Sequence, residues 1–418
     1  MEKQKKIPKL RFPEFEGEWS SRTLKDIVFS VEFGVSVNSI DEPVVSSSDR
    51  GILKTSCVSA GRFIPEENKT IVIEEIQRAK LNPEKDTIIV SRMNTPQLVG
   101  ESGYVDKDYN NLFIPDRLWK VKINKEKHLT KLISILLTTD RIKSILSNIA
   151  TGTSNSMKNI SQPNFLKIAL YTPSLQEQKK IASFFTAIDQ KISQLKSKKT
   201  LLEQYKKGVM QKIFSQEIRF KDDNGQEFPK WEKKKLSEIS DRRTAKNNEG
   251  NENVLTISAQ YGLVSQLDFF NKSVAANDLS GYYLLRKDDF VYNRSYSAGY
   301  PMGAFKRLKL YDRGVVSTLY ICFTFNSDTN LSFIEQYFES GRHNREIERI
   351  AQEGARNHGL LNIGVGDFFN TEILLPSLPE QTKIANFLSA IDVKINHTQK
   401  QIEKAEVWKK GLMQQMFV

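Results

Sequence analysis

The sequence is poor in the residues that build reactive centres: two cysteines, Cys57 and Cys322, and four histidines are scattered through 418 residues. This excludes a disulfide framework, leaves no thiolate-rich zinc site, and fits a reducing compartment. No run of about 18 uncharged apolar residues occurs, so no bilayer span and no membrane partner are expected. The opening residues, MEKQKKIPKLRF, are charged and lack the apolar centre of an export signal. The expected location is the cytoplasm. With 39% hydrophobic and 27% charged residues, the composition is that of a globular protein of two or three domains rather than a disordered chain. Charge of one sign is in excess, with 62 Lys and Arg against 50 Asp and Glu, net +12, pI about 9.3. That is the sign expected of a chain that approaches phosphate or an acidic partner, although a solvated basic surface has the same sign.

What the sequence does contain is a copy of itself. PSLQEQKKIASFFTAIDQKI, from Pro173 to Ile192, recurs as PSLPEQTKIANFLSAIDVKI, from Pro376 to Ile395. The match resumes as EQYKKGVMQKIF against EVWKKGLMQQMF, ending at Phe214 and Phe417, with about half of the aligned positions identical. The starts of the halves match more faintly, Trp19, Leu24 and Ile27 corresponding to Trp231, Leu236 and Ile239. Between these flanks lie two dissimilar stretches with strand-like runs: TIIVSRM and LWKVKI in one, DFVYNRS and TLYICFTF in the other.

Each repeated segment predicts a long helix with an apolar seam at heptad spacing. The first seam is Ile181, Phe185, Ile188, Ile192, Leu195, Leu202, Val209 and Ile213; the second is Ile384, Leu388, Ile391, Ile395, Ile402, Ala405, Leu412 and Met416. Lys199 and Thr398 interrupt the seams, so looser packing is expected at the centre. A helix of about 40 residues is roughly 60 Å long, and a narrow apolar stripe on such a rod needs another rod to cover it. The available rod is the other copy, running antiparallel, and the pair would act as a spacer. Two ordinary core helices of one large domain would be the alternative. Gly208 and Gly411 weaken the helices by roughly 1 kcal/mol each, for which close approach of another backbone is one compensation.

Aligning the divergent stretches by their flanks brings Arg92 beside Arg294, each after a strand-like run and before a polar loop (Met93, Asn94, Thr95; Ser295, Tyr296, Ser297). It also pairs two glycine-led loops: one with Gly152, Ser154, Asn155, Ser156, Lys158 and Asn159, the other with Gly354, Arg356, Asn357, His358 and Asn362. Arg on guanine, Asn on adenine, and Lys or Ser on phosphate are the contacts that read a DNA major groove. Taken singly, each loop is equally well an ordinary turn. Arg62 is a further candidate contact, and His358 reads as a surface hydrogen-bonder rather than a metal ligand.

The machinery of an enzyme acting on DNA is missing. There is no G-x-x-x-x-G-K-[ST] phosphate loop, and Gly364-Val365-Gly366 lacks the third glycine of a cofactor fingerprint. Asn82-Pro83-Glu84-Lys85 lacks the second proline and the aromatic of an adenine-methyltransferase motif. A nuclease-like set of Asp223, Glu232 and Lys234 has no counterpart in the other half, where Ser20 and Arg22 stand. The chain is therefore expected to bind no metal or cofactor and to catalyse nothing alone.

PSLQEQKKIA and PSLPEQTKIA, the helices that follow them, and their placement after two variable regions resemble the specificity (S) subunits of bacterial type I restriction–modification systems. The resemblance covers essentially the whole chain. It implies an α+β fold: two target-recognition domains with β-rich cores, separated by a pair of long antiparallel coiled-coil helices in a pseudo-two-fold repeat. The expected boundaries are 1–172 and 219–375 for the domains, and 173–218 and 376–418 for the spacer helices. It also implies double-stranded DNA read as a split site, two methyltransferase (M) subunits carrying S-adenosylmethionine, and restriction (R) subunits. A duplicated coiled-coil adaptor without DNA specificity is the competing reading.

Overall fold

The structure, a computed structural model, describes residues 6–46, 48–154, 157–258, 261–270, 278–297, 299–351 and 361–418. Two compact units are present, Met1–Leu195 with Gln401–Val418, and Lys196–Lys400. The repeated segments form helices Leu175–Phe214 and Leu378–Met416. The units divide each helix, so each unit owns a piece of both.

In the first unit, four antiparallel strands lie in the order Val28–Phe33, Leu118–Ile123, Thr87–Ser91, Ser102–Val105, and Arg62–Phe63 and Val58–Ser59 extend the sheet beyond the last. Thr87–Ser91 is buried along its whole length because both faces of the sheet are covered. Ile88 and Val90 point into one core with Trp119 and Val121, while Ile89 points into a second with Leu118 and Cys57, as the two-residue pleat requires. Ser20–Thr23 pairs with Ala169–Thr172, closing the unit by joining the start of the variable stretch to its end. The strand Ser39–Ile40 and its neighbours build a separate four-stranded sheet.

The second unit uses the same frame. Ser240–Arg242, Ile321–Phe325, Phe290–Asn293 and Ala304–Arg307 repeat the four-strand order, and Glu232–Lys235 pairs with Glu372–Leu375. Phe290 and Tyr292 face one core while Val291 and Cys322 face the other. The inward aromatics stack, Tyr292 on Phe305 at 4.4 Å and Phe305 on Phe338 at 4.0 Å between ring centroids. Cys57 and Cys322 are buried, unbonded to each other, and burial raises both thiols above their ordinary pKa.

The seam residues Ile181, Phe185, Ile188 and Ile192 join the first unit's main core together with Met416; Leu412, Met413 and Phe417 pack against it. Ile384, Leu388 and Ile391 join the second unit's core with Met210, Ile213 and Phe214. The stripe is thus covered partly by the other helix and partly by the domain, and not by a second rod alone. At the helix centres Leu202 and Ile395 are half-buried while Leu195 and Ile402 are buried, and Val209 and Leu412 nearer the ends are half-buried too, so the looser positions are not confined to the interrupted centre. Thr398 is also buried, its hydroxyl donating to the Lys394 carbonyl at 2.8 Å, so the polar interruption is satisfied within its own helix. Among the described residues, no helix is long and apolar enough to cross a membrane.

Candidate nucleic-acid interface

The repeated P-S-L-x-E-Q segment fixes each helix to its domain. Glu177, 1% exposed, accepts hydrogen bonds from Arg11 Nε (2.8 Å), Arg11 Nη2 (2.7 Å) and the Trp19 indole (3.3 Å). Glu380, fully buried, accepts the same set from Arg219 Nε and Nη2 (both 2.9 Å) and Trp231 (3.1 Å). Bonding to the carboxylate raises each guanidinium above its ordinary pKa. The neighbouring glutamine completes the bracket. Gln178 Oε1 accepts from Leu129 N–H, and Gln381 Oε1 from Asn330 N–H, both 2.8 Å, at the start of the helices Thr130–Leu137 and Leu331–Glu339. In the sequence this segment carries the repeat and the family resemblance, and its recurrence around Glu and Gln was the available signal for the bracket.

A second duplicated device lies on the helices. In the first unit Lys409 Nζ is 2.6 Å from Asp189 Oδ1, and in the second Lys206 Nζ is 2.7 Å from Asp392 Oδ1. Each pair joins the aspartate of one copy to the lysine of the other, so within each unit the helix pieces run antiparallel in equivalent register. Phe185 stacking on Phe417 at 5.6 Å belongs to the same arrangement. Gly208 and Gly411 have no backbone near them: an added Cβ at either would meet nothing within 4 Å.

Beyond the bracket, the arginine meets the glycine-led loop in the first half, and in the second it meets Leu361, which follows the corresponding loop. Arg92 follows the strand Thr87–Ser91, and its carbonyl accepts Ile160 N–H at 2.9 Å; Arg294 follows Phe290–Asn293, and its carbonyl accepts Leu361 N–H at 2.7 Å. In the first unit Met93–Asn94 pairs with Met157–Asn159, which pairs with Thr151–Ser154, making a three-stranded ribbon that places Lys158 opposite Asn94. Lys158 Nζ donates to the Gly152 carbonyl at 3.1 Å. Asn94 is turned inward, its Nδ2 on Ser91 Oγ (3.2 Å) and its Oδ1 accepting Thr95 N–H (2.9 Å). Gly152 is required by the ribbon itself, because a Cβ there would collide with the Met157 carbonyl.

In the second unit Arg294 is braced. Its Nε and Nη2 donate to the Leu319 carbonyl at 3.2 and 2.9 Å, and Nη1 to that of Ile363 at 3.1 Å. Ser295 N–H donates to Asn293 Oδ1 at 3.0 Å, and Tyr296 is exposed. Arg62 does not join the Arg92 cluster: it pairs with Tyr104, itself opposite Ile88, which puts it about 13 Å away along the strand direction. Asn155, Ser156, Arg356, Asn357 and His358 lie outside the described residues, and Ser154 contributes a strand position only.

Several charged side chains elsewhere are paired among the described residues. Lys120 is buried between Glu32 and Glu84, and the Lys120 contact holds the Glu84 carboxyl below its usual pKa. A cleft of about 820 Å³ in the second unit is lined by Lys206, Lys306 and Lys309, each matched by a carboxylate: Asp392, Glu339 and Glu335. It is therefore a mixed-charge cleft rather than a basic groove. Among the described residues no cluster of three His, Cys, Asp or Glu side chains is placed to hold a metal.

One frame built twice, with bracket and ion pair repeated and the loops changed, defines a duplicated two-unit protein. Comparison with protein families matches residues 17–204 and 229–407 to the Type I restriction modification DNA specificity domain, and the chain belongs to that family. The Type I restriction enzyme EcoEI specificity subunit of Escherichia coli is 27% identical over 205 residues, 47% of this chain and 34% of that protein. The Putative type I restriction enzyme MjaX specificity subunit of Methanocaldococcus jannaschii is 26% identical over 220 residues, 52% of this chain and 50% of that one. The matches thus span about a third to a half of the length of these curated relatives. The Type-I restriction-modification system S subunit from M. genitalium shares the fold with a TM-score of 0.59 at 16% identity, covering 99% of both chains.

Proposed function

We propose that the chain is the DNA-specificity subunit of a type I restriction–modification complex. Each unit reads one half of a bipartite duplex target, and the two long helices set the gap between the half-sites. Two methyltransferase subunits supply S-adenosylmethionine and methylate adenine; restriction subunits supply cleavage. The chain itself binds no cofactor and performs no chemistry, acting in the cytoplasm.

The observation that carries this reading is the pairing of an identical frame with unlike loops. The four-strand order, the Glu–Arg–Trp bracket and the Asp–Lys pair are the same in both units, whereas the residues after Arg92 and Arg294 differ. Two different half-sites presented at a fixed interval call for such an object. The number of methyltransferase subunits follows the same logic. Tyr205 and Trp408 occupy equivalent positions, both exposed, each three residues before the unencumbered Gly208 or Gly411. Residues three apart share a helix face, so each copy offers an aromatic ring beside bare backbone, a surface suited to a partner helix.

Single-molecule sequencing of the host methylome with and without the gene tests the function. The expected result is one bipartite adenine-methylated motif that disappears with the gene. A duplicated adaptor without DNA specificity would leave every motif in place, and that result would overturn the reading.

A further inference from the structure

We infer that the two equivalent arginines have diverged in role: Arg92 contacts a base in the first half-site, whereas Arg294 is a positioning residue that holds the second unit's reading loops. The inference rests on the proposed function and adds to it which residue carries specificity.

Both side chains leave the frame at the same point. Each arginine follows a central strand and has its carbonyl held by the returning loop, through Ile160 N–H or Leu361 N–H. The Arg92 root is rigid, because its own N–H also donates to the Arg117 carbonyl at 3.1 Å and the preceding strand is wholly buried. From there the two forks differ. Arg294 spends Nε, Nη1 and Nη2 on the Leu319 and Ile363 carbonyls, tying together three loops that include exposed Tyr296 and Leu319. A guanidinium reads guanine by giving two adjacent N–H groups to O6 and N7; Arg294 has its Nε–Nη2 edge taken by the Leu319 carbonyl and one Nη1 hydrogen by that of Ile363, which leaves a single hydrogen on each of Nη1 and Nη2 and fixes the fork to the protein. Among the described residues nothing accepts from the Arg92 guanidinium, and its Nε is buried without a partner. Asn159, paired with Met93 beside it, likewise has a buried Oδ1 without a partner. Among the described residues Arg92 therefore lacks the acceptors that hold Arg294, and an open acceptor lies beside it at the same strand junction, so its fork is the one of the two left free for a partner outside the chain. For a planar fork of donors that partner is a pair of adjacent acceptors, which a guanine edge and a backbone phosphate both provide.

The test compares methylomes of hosts carrying the wild-type chain, Arg92→Lys, Arg92→Ala and Arg294→Ala. The expected result is that both Arg92 variants relax one position of the first half-site, losing roughly tenfold or more in discrimination, with the second half-site unchanged. A phosphate contact would survive Arg92→Lys with the motif intact, and that outcome overturns the base contact. Arg294→Ala is expected to lower methylation across the whole second half-site and to speed amide hydrogen exchange at residues 317–321 and 361–363. Relaxation of a single position with exchange unchanged would make Arg294 the reader and overturn its positioning role. If the wild-type chain specifies a bipartite motif and the Arg92 variants do not alter it, this inference fails and the proposed function stands; if the wild type specifies none, the function itself fails.

Discussion

Replacing Glu380 by Gln is a sharp test of the bracket that joins helix to domain. The carboxylate is fully buried and receives Arg219 in a two-pronged contact of 2.9 Å on each prong, with the Trp231 indole as a third donor. Glutamine preserves the shape but turns an NH2 group toward a cation that offers only donors. Removing one partner from a buried ion pair costs about 3–5 kcal/mol. The low end applies here, because Arg219 keeps the Phe228 and Pro229 carbonyls at 3.2 and 2.8 Å and its side chain is 27% exposed. A loss of about 3 kcal/mol in a unit of this size lowers Tm by roughly 6–12 °C. Calorimetry of the purified chain, with amide hydrogen exchange to locate the loss, is the assay. Exchange should rise in residues 219–235 and 372–385 and stay unchanged around Arg11 and Glu177. A Tm within about 1 °C of wild type, or exchange raised equally at both brackets, would refute the reasoning.

Two other perturbations follow from the same interiors. His343 is buried against Phe305 and Phe338, with one ring nitrogen 3.1 Å from Thr371 Oγ1, and burial lowers its pKa to about 3. The unfolded chain protonates this ring near pH 6.5, so the neutral form's contribution is complete above that value and is lost as pH falls toward 3; at pH 5 the loss is roughly 2 kcal/mol. Urea melts at pH 7.5 and 5 should show this difference in the wild type and a flatter dependence in His343→Gln; equal slopes would remove His343 as the cause. The Lys206–Asp392 pair is partly exposed, at 17% and 36%, and its coupling should be about 1 kcal/mol or less. In a double-mutant cycle, Asp392→Lys should destabilise the second unit and Lys206→Asp on top of it should recover part of the loss; no recovery would show that the pair does not set the helix register.

The long helices were legible because they are the part of the chain that repeats, with spacer helices expected within 173–218 and 376–418 and helices found at Leu175–Phe214 and Leu378–Met416. The equivalence of Arg92 and Arg294 was also legible, since a strand-like run precedes each and the flanks fix the alignment. The shared four-strand order was not. Its strands pair across long sequence separations, and the residues that satisfy a pleated, doubly covered strand are interchangeable: Ile88 and Val90 in one unit do the work of Phe290 and Tyr292 in the other. The glycines were legible only as missing Cβ atoms. Gly152 serves the crossing of its own ribbon, and Gly208 and Gly411 face open space, because sequence shows that a Cβ is missing without showing what lies beside it. The fate of the Arg294 fork depended on carbonyls of Leu319 and Ile363, distant in sequence and carrying no side-chain signature.

The measurement that bears most directly on the helices as a ruler is the methylome of a host whose chain lacks residues 196–202 and 396–402, one heptad from each helix between the Asp189–Lys409 and Lys206–Asp392 pairs. Seven residues shorten a helix by about 10.5 Å, the axial rise of about three base pairs. The account predicts the same two half-site sequences separated by a gap shorter by up to about three base pairs. An unchanged gap, or altered half-sites, would contradict it.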